Sequence, residues 1–188
     1  MTYKMTIAGL ERELPICKVT DDFYIGAFIM FGDAELTVAC ARDLLKMAEN
    51  IEFDYLFTAE AKSIPLIHEM ARQINAKKYF IARKARKVYM PDPISVEDRS
   101  ITTLGVQQLY LGRDDADMIR GKKILIVDDV ISTGGSLRAM EALVKEAGGT
   151  IVGRMSVLAE GENAQKRGDI MYLAPLPTFD SNGQVIKK

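Results

Sequence analysis

The stretch Ile124 to Leu137, ILIVDDVISTGGSL, constrains the fold more than any other part of the 188-residue chain. Four apolar residues run straight into two adjacent acids, Asp128 and Asp129. A short continuous apolar run of this kind reads as a strand buried on both faces, as parallel sheets require. A polar cluster follows, Ser132-Thr133-Gly134-Gly135-Ser136, and then a helical pattern of Leu137, Met140, Leu143, Val144 and Ala147 that stops at Gly148-Gly149. Strand, donor-rich loop and helix in this order place a ligand beyond the carboxyl end of the strand.

The rest of the chain repeats the alternation. Leu36, Cys40, Leu44 and Met47 recur at helical spacing and predict a helix over residues 33 to 49. Tyr55 to Thr58 is a short apolar strand. Glu60-Ala61-Lys62-Ser63 follows it, and then a helix from about Pro65 to Ile74 with Leu66, Ile67, Met70 and Ile74 on one side. Tyr79 to Ala82 is a second strand and runs into Arg83-Lys84-Ala85-Arg86-Lys87, four cations in five residues. From Val88 to Thr103 the pattern weakens and predicts a long hairpin or mobile flap rather than core. Gln108 to Leu111 resumes strand character, Gly112 to Lys123 is turn-rich, and Ile151 to Leu158 is another strand. Strands alternating with helices give an α/β domain, a parallel twisted sheet flanked by helices on both faces.

The loop after Asp129 has the chemistry of an anion cradle. The opening amides of a helix lack intrahelical partners, and the helix dipole is positive there. Gly134 and Gly135 let the backbone come close to the anion, and Thr133 and Ser136 add hydroxyls. The lysine of GxxxxGK[ST] is absent, so this is not the familiar nucleotide P-loop. The two aspartates lie four to five residues before the cradle. They are placed to accept hydrogen bonds from hydroxyls of the same ligand that offers the phosphate. A ribose 5-phosphate, with a phosphate at one end and a vicinal diol at the other, meets that description.

Charge narrows the partners. A net charge of −1 leaves no general electrostatic footprint for nucleic acid or for an anionic membrane. The two cysteines, Cys17 and Cys40, have no metal spacing and imply no disulfide framework; Cys40 falls on an apolar helical face. The opening segment lacks the apolar centre of a signal peptide, and no run approaches membrane-spanning length, so a cytoplasmic location is expected.

ILIVDDVISTGGS resembles the signature of the type I phosphoribosyltransferases, which bind 5-phosphoribosyl-1-pyrophosphate (PRPP). The resemblance extends over roughly residues 25 to 175. Thr58 to Ser63 is similar to the family's pyrophosphate loop, Arg83-Lys84 with Lys87 to the basic strand end of its purine members, and residues 86 to 105 to the flap that closes over substrates. The adenine and xanthine enzymes are the nearest in pattern, and a related domain occurs in a Gram-positive purine repressor.

The resemblance implies one domain over residues 1–188, with a small N-terminal hood at about 1–32 and a flexible flap at about 86–105. It implies that Asp128 and Asp129 hold the ribose hydroxyls and, indirectly through those hydroxyls or water, Mg²⁺. Ser132, Thr133, Gly134, Gly135 and Ser136 would bind the 5-phosphate. Ala61, Lys62 and Ser63 would meet the pyrophosphate, with a non-proline cis peptide expected between Ala61 and Lys62. Arg83, Lys84 and Lys87 would neutralise pyrophosphate, in the family often from the neighbouring subunit of a homodimer. The implied activity is transfer of 5-phosphoribosyl from PRPP to a purine base.

Three departures bear on the base. Serine at 132 stands where the hypoxanthine and guanine enzymes carry an acid. Gly161 stands where the xanthine enzyme's base-reading lysine aligns. Thr102-Thr103-Leu104-Gly105 lacks the flap acid of the adenine enzymes. Adenine is the expected base and xanthine the alternative. The flap does not carry the lysine-rich pattern of orotate phosphoribosyltransferase. A PRPP-sensing regulator would need a DNA-binding domain, and most of the 59 residues before Glu60 are needed for the first helix and the hood. Phe23, Tyr24 and Phe28 lie where an aromatic ring could stack on a base or fill the core. His68, the one histidine, is expected to pack on its helix or face solvent.

Overall fold

Secondary structure follows the apolar pattern from residue 33 onward. The computed structural model describes residues 1–98 and 107–186. In chain order the elements are β1 (Thr2–Ile7), β2 (Leu10–Lys18), β3 (Tyr24–Gly26), α1 (Ala34–Met47), β4 (Tyr55–Ala59), α2 (Ile64–Gln73), β5 (Phe80–Ala82), β6 (Ile94–Asp98) and β7 (Gln107–Leu111). Then come α3 (Arg113–Ile119), β8 (Lys123–Ile131), α4 (Gly135–Glu146), β9 (Thr150–Glu160), α5 (Gly161–Gln165), β10 (Met171–Leu176) and β11 (Thr178–Phe179).

Five strands form the parallel sheet, in the order β10-β9-β8-β4-β5. Alternation along the strands sorts side chains to two faces. Leu56, Leu125 and Val127 join the core beneath α1 and α2, and Phe57, Ile124 and Ile126 join the core beneath α4. Both faces are therefore covered, as the apolar run 124–127 requires. Asp33 caps α1 by accepting from the Leu36 amide at 3.0 Å, and Pro65 sits in the first turn of α2. Leu36, Cys40 and Leu44 are buried on α1, but Met47 is 42% exposed because the helix ends there and turns its last face to solvent.

The structure departs from the sequence pattern in four places. The central strand does not stop at Val127: β8 runs to Ile131 because β9 keeps pairing with it through Ile131↔Ala159. The turn-rich segment before it contains α3, whose Ala116 and Ile119 are buried; two buried positions give too little periodicity to read. The weak segment after Val88 holds the expected hairpin, β6–β7, registered from Ile94↔Leu111 to Asp98↔Gln107, but not apart from the core. Its Ile94 and Val96 pack on the core of α4, so the hairpin's base is part of the fold. Of the expected flap, residues 99–106, including Thr102 to Gly105, lie outside the described residues. Finally, residues 2–26 form three antiparallel strands joined by β11 from the other end of the chain, in the order β1-β2-β3-β11. The two C-terminal strands are short or half-exposed and carry no clear alternation.

Candidate functional site

Where β4 ends, side chains replace the ladder. β4 pairs with β8 only as far as Phe57↔Ile126. Beyond that point the Thr58 hydroxyl donates to the Val127 carbonyl at 2.7 Å, and the Asp129 amide donates to Ser63 Oγ at 3.0 Å. The Ser63 hydroxyl in turn lies 2.8 Å from Asp128 Oδ1 and 3.3 Å from Asp129 Oδ1. It has one proton, and the shorter contact marks Asp128 as its acceptor. Ser63 is 1% exposed, and the two acids are 7% and 5% exposed. One buried hydroxyl thus ties the 60–63 loop to the acid pair. Lys62 Nζ sits 2.6 Å from Asp129 Oδ2. Burial, and next the charge of Asp129, push the Asp128 carboxyl above the ordinary carboxylate value.

Residues 132–136, expected from the sequence to cradle a phosphate, lie around one hollow. Asp128 and residues 130–137 line a hollow of about 130 Å³ at the start of α4. Gly134, the residue before α4, has φ +80° and ψ 8°. This left-handed conformation suits glycine. A Cβ there would stand 3.1 Å from Arg167 Nη1 and 3.4 Å from Arg138 Nη1. Arg138 Nη1 also donates to the Thr133 carbonyl at 3.1 Å. Two guanidiniums therefore abut the loop, and Arg167 is held by Asp169 through bonds of 2.9 and 2.6 Å. The Lys166–Asp169 run reads in sequence as a solvated turn; the fold brings its arginine to the cradle.

The basic strand end closes against the other side of the 60–63 loop. Arg83 Nε donates to Glu60 Oε2 at 2.7 Å, and the Lys84 amide donates to Glu60 Oε1 at 2.6 Å. Burial alone would push the Glu60 carboxyl up, but the Lys84 amide and the Arg83 guanidinium outweigh it and hold it below its ordinary value. Arg83 is engaged further by the Tyr89 hydroxyl at 2.6 Å. The side chains of Lys84 and Arg86 are exposed, and Lys87 is half-buried. The cis peptide falls at Glu60–Ala61, one bond earlier than the resemblance placed it.

Of the residues singled out in the sequence, Lys62, Ser63, Asp128 and Asp129 are in mutual contact, and Ser132 to Ser136 adjoin them. Ala61 is exposed at the loop tip. Phe28 is 3% exposed and belongs to the core, whereas Phe23 is 37% exposed. Exposed His68 lies 3.2 Å from the Tyr79 hydroxyl through Nδ1, away from the acids. Cys40 is buried, and burial pushes its thiol up to about 12, so it is inert packing. Two acids were missed. Glu60 meets the basic run only in the fold, where β5 beside β4 brings Arg83 back to it. Glu160, at the carboxyl end of β9, lies beside Ser132, and burial raises its carboxyl. The signal for it is the one that marked Asp128: an acid ending an apolar strand.

Among the described residues, no group of three or more His, Cys, Asp or Glu side chains is arranged to hold a metal, and no helix is long and apolar enough to cross a membrane.

The chain resembles known proteins over this same architecture. It is 35% identical over 122 residues to a hypoxanthine/guanine phosphoribosyltransferase of Methanocaldococcus sp. (strain FS406-22), covering 65% of this chain and 58% of that protein. It is 29% identical over 188 residues to the purine biosynthesis transcriptional repressor PurR of Bacillus subtilis (strain 168), covering 99% of this chain and 62% of that protein. The similarity thus spans about six-tenths of the length of these relatives. The crystal structure of adenine phosphoribosyltransferase from Rhodothermus marinus shares the fold with a TM-score of 0.65 at 22% identity, covering 93% of this chain and 94% of that one. The sequence profile of the phosphoribosyl transferase domain matches residues 35–184, from the start of α1 past the last strand. With the acid pair, the glycine loop and the parallel sheet in the expected order, the chain belongs to the type I phosphoribosyltransferase family.

Proposed function

We propose that the chain transfers the 5-phosphoribosyl group of PRPP to adenine, giving a nucleoside monophosphate and pyrophosphate in purine salvage. The observation that carries this is the Ser63 bridge, which fixes the 60–63 loop against Asp128 and Asp129 within hydrogen-bond distance. A ligand with its diol on the acids and its phosphate in the 132–136 loop would present C1 to Lys62. In the reaction a ring nitrogen of the base forms a bond to C1. The bond from C1 to the pyrophosphate oxygen breaks, its electron pair leaves with pyrophosphate, and the base loses a proton. Asp128 and Asp129 orient the ribose. Lys62, released from Asp129, and the loop amides meet charge growing on the leaving group. Glu60 holds Arg83 beside that loop. The hairpin and the β1–β3 sheet, as flap and hood, exclude water from the ribosyl cation. A buried acid pair without a third ligand fits a cation that arrives with substrate and water oxygens. Asp128 and Asp129 would hold Mg²⁺ in this way, and its role would be to neutralise pyrophosphate.

Adenine is favoured because the site has neither an acid at 132 nor a cation at 161 to read an oxo group. A site built around an amino donor rejects an oxo group by leaving a buried acceptor unpaired, a cost of about 1–3 kcal/mol or roughly a 5- to 150-fold preference. The test is kcat/KM for adenine, hypoxanthine, guanine and xanthine with saturating PRPP and Mg²⁺. Adenine is expected to lead; a lead by hypoxanthine, the base in the name of the Methanocaldococcus relative, or by xanthine reverses the assignment.

One observation favours a second reading. The similarity to the repressor runs over the whole chain, whereas that to the Methanocaldococcus enzyme covers 65% of it. A PRPP-sensing module would bind PRPP and turn over none of the bases in the same assay.

The assembly we propose is a homodimer. Four cations in five residues repel one another unless anions or acidic partners lie near. Beside them, Val88 and Tyr89 (68% exposed) present apolar surface without cover. Light scattering at micromolar concentration is expected to give twice the chain mass; a monomer with full activity excludes the assembly.

A further inference from the structure

Glu160 is a carboxylate with no task in the mechanism above. It ends β9, the strand next to β8, and lies beside Ser132 of the 132–136 loop. Lys62 and Asp129 lie close enough for their charges to act on it. The next residue, Gly161, has φ +73°, and a Cβ there would stand 3.6 Å from Thr178 Cγ2. Thr178 belongs to β11 and pairs with Ile25 of β3. Glu160 therefore stands at the corner where the carboxyl edge of the parallel sheet meets the antiparallel one.

Strand order gives that corner its chemistry. Along the edge come the 60–63 loop after β4, then the acids and cradle of β8, then Glu160 of β9. Displacement at a carbon brings the incoming atom in opposite the leaving group. A ribose phosphate seated on β8, with its leaving group on the β4 side, is open to attack from the β9 side. The incoming group is a nitrogen heterocycle whose edge carries N–H donors. An ionised carboxylate only accepts, and has about four lone-pair positions, enough to face Ser132 and the base together.

We infer that Glu160 accepts a hydrogen bond from an N–H of the incoming base and so selects bases with a donor at that edge; this rests on β8 being a ribose-phosphate site. The competing role is structural, with Glu160 only holding Ser132 in place. The two roles differ in which ligand they affect. A base contact leaves ribose 5-phosphate binding alone, whereas a displaced Ser132 weakens it.

The test is calorimetry on the full chain, wild type, Glu160→Gln and Ser132→Ala. Ribose 5-phosphate is titrated first, and adenine is then titrated into the complex. Glu160→Gln keeps the size and an oxygen for Ser132 but replaces one acceptor with a donor. It is expected to weaken adenine about tenfold to 100-fold and to leave ribose 5-phosphate within about twofold. Ser132→Ala is expected to weaken ribose 5-phosphate. If Glu160→Gln weakens ribose 5-phosphate as Ser132→Ala does, Glu160 is a positioning residue and the inference is overturned. Unchanged adenine affinity in Glu160→Gln, or wild type that binds ribose 5-phosphate but not adenine, overturns it while the phosphate site stands. Wild type that binds no ribose 5-phosphate removes the ribose-phosphate reading and the inference with it.

Discussion

Replacing Asp128 and Asp129 together with alanine is expected to lower kcat/KM for PRPP by about 10³-fold or more, on the scale of losing both substrate orientation and preorganised charge at a reacting centre. The geometry sets this expectation above that for any other pair in the chain. Both carboxylates are almost fully buried, and both face the single hydroxyl of Ser63. Burial, and next the neighbouring charge of Asp129, raise the cost of ionising Asp128. A chain with no ligand to bind gains little from such a pair. If the acids served only to end a strand, the variant would lose melting temperature and keep its turnover. If they hold ribose, the order reverses: turnover falls while circular dichroism and the thermal transition change little. The asparagine pair separates charge from volume. It keeps the shape and a Ser63 contact, and is expected to lose nearly as much activity as the alanine pair. Initial rates at varied PRPP decide the matter, and near wild-type turnover in the double variant would falsify the assignment.

This site was legible in sequence where its residues are contiguous. Ile124 to Ser136 encodes strand, acids and cradle in one run, because a strand and the helix after it share one loop. Lys62 and Ser63 were singled out only through the resemblance of residues 58 to 63 to the family's pyrophosphate loop. The extent of β8 was not legible, since its last residues pair only with β9 and carry the two acids that interrupt the apolar run. Nor was Glu60's part, which depends on β5 lying beside β4 so that Arg83 returns to it. Arg167 lies 33 positions beyond Gly134 in the chain yet meets it in the fold, and no local pattern encodes that approach. The antiparallel sheet hid for another reason. It borrows β11 from the far end of the chain, and a two-residue strand has no periodicity to read. What the sequence hides is the pairing of distant segments; what it displays is the local chemistry each segment brings.

Gly134 carries the second large expectation, because its backbone and its surroundings both exclude a side chain. At φ +80° a β-branched residue is strained by roughly 1–2 kcal/mol or more. Its Cβ would also press on Arg167 Nη1 and Arg138 Nη1, at 3.1 and 3.4 Å. These guanidinium ends are flexible, so the fold yields there rather than breaking. The yielding displaces both cations that abut the cradle and loosens the Arg138 bond to the Thr133 carbonyl. Gly134→Val is therefore expected to raise KM for PRPP about 100-fold, as a combined loss near 3 kcal/mol implies. Turnover at saturating PRPP should fall less than about tenfold, because the acids on β8 and the Lys62 loop are untouched. Gly134→Asn, whose side chain tolerates the left-handed region, should fall between wild type and valine. A parallel drop in kcat for valine, or an unchanged KM, would mean that the 132–136 loop does not hold the 5-phosphate, and that the anion is bound by the basic strand end alone.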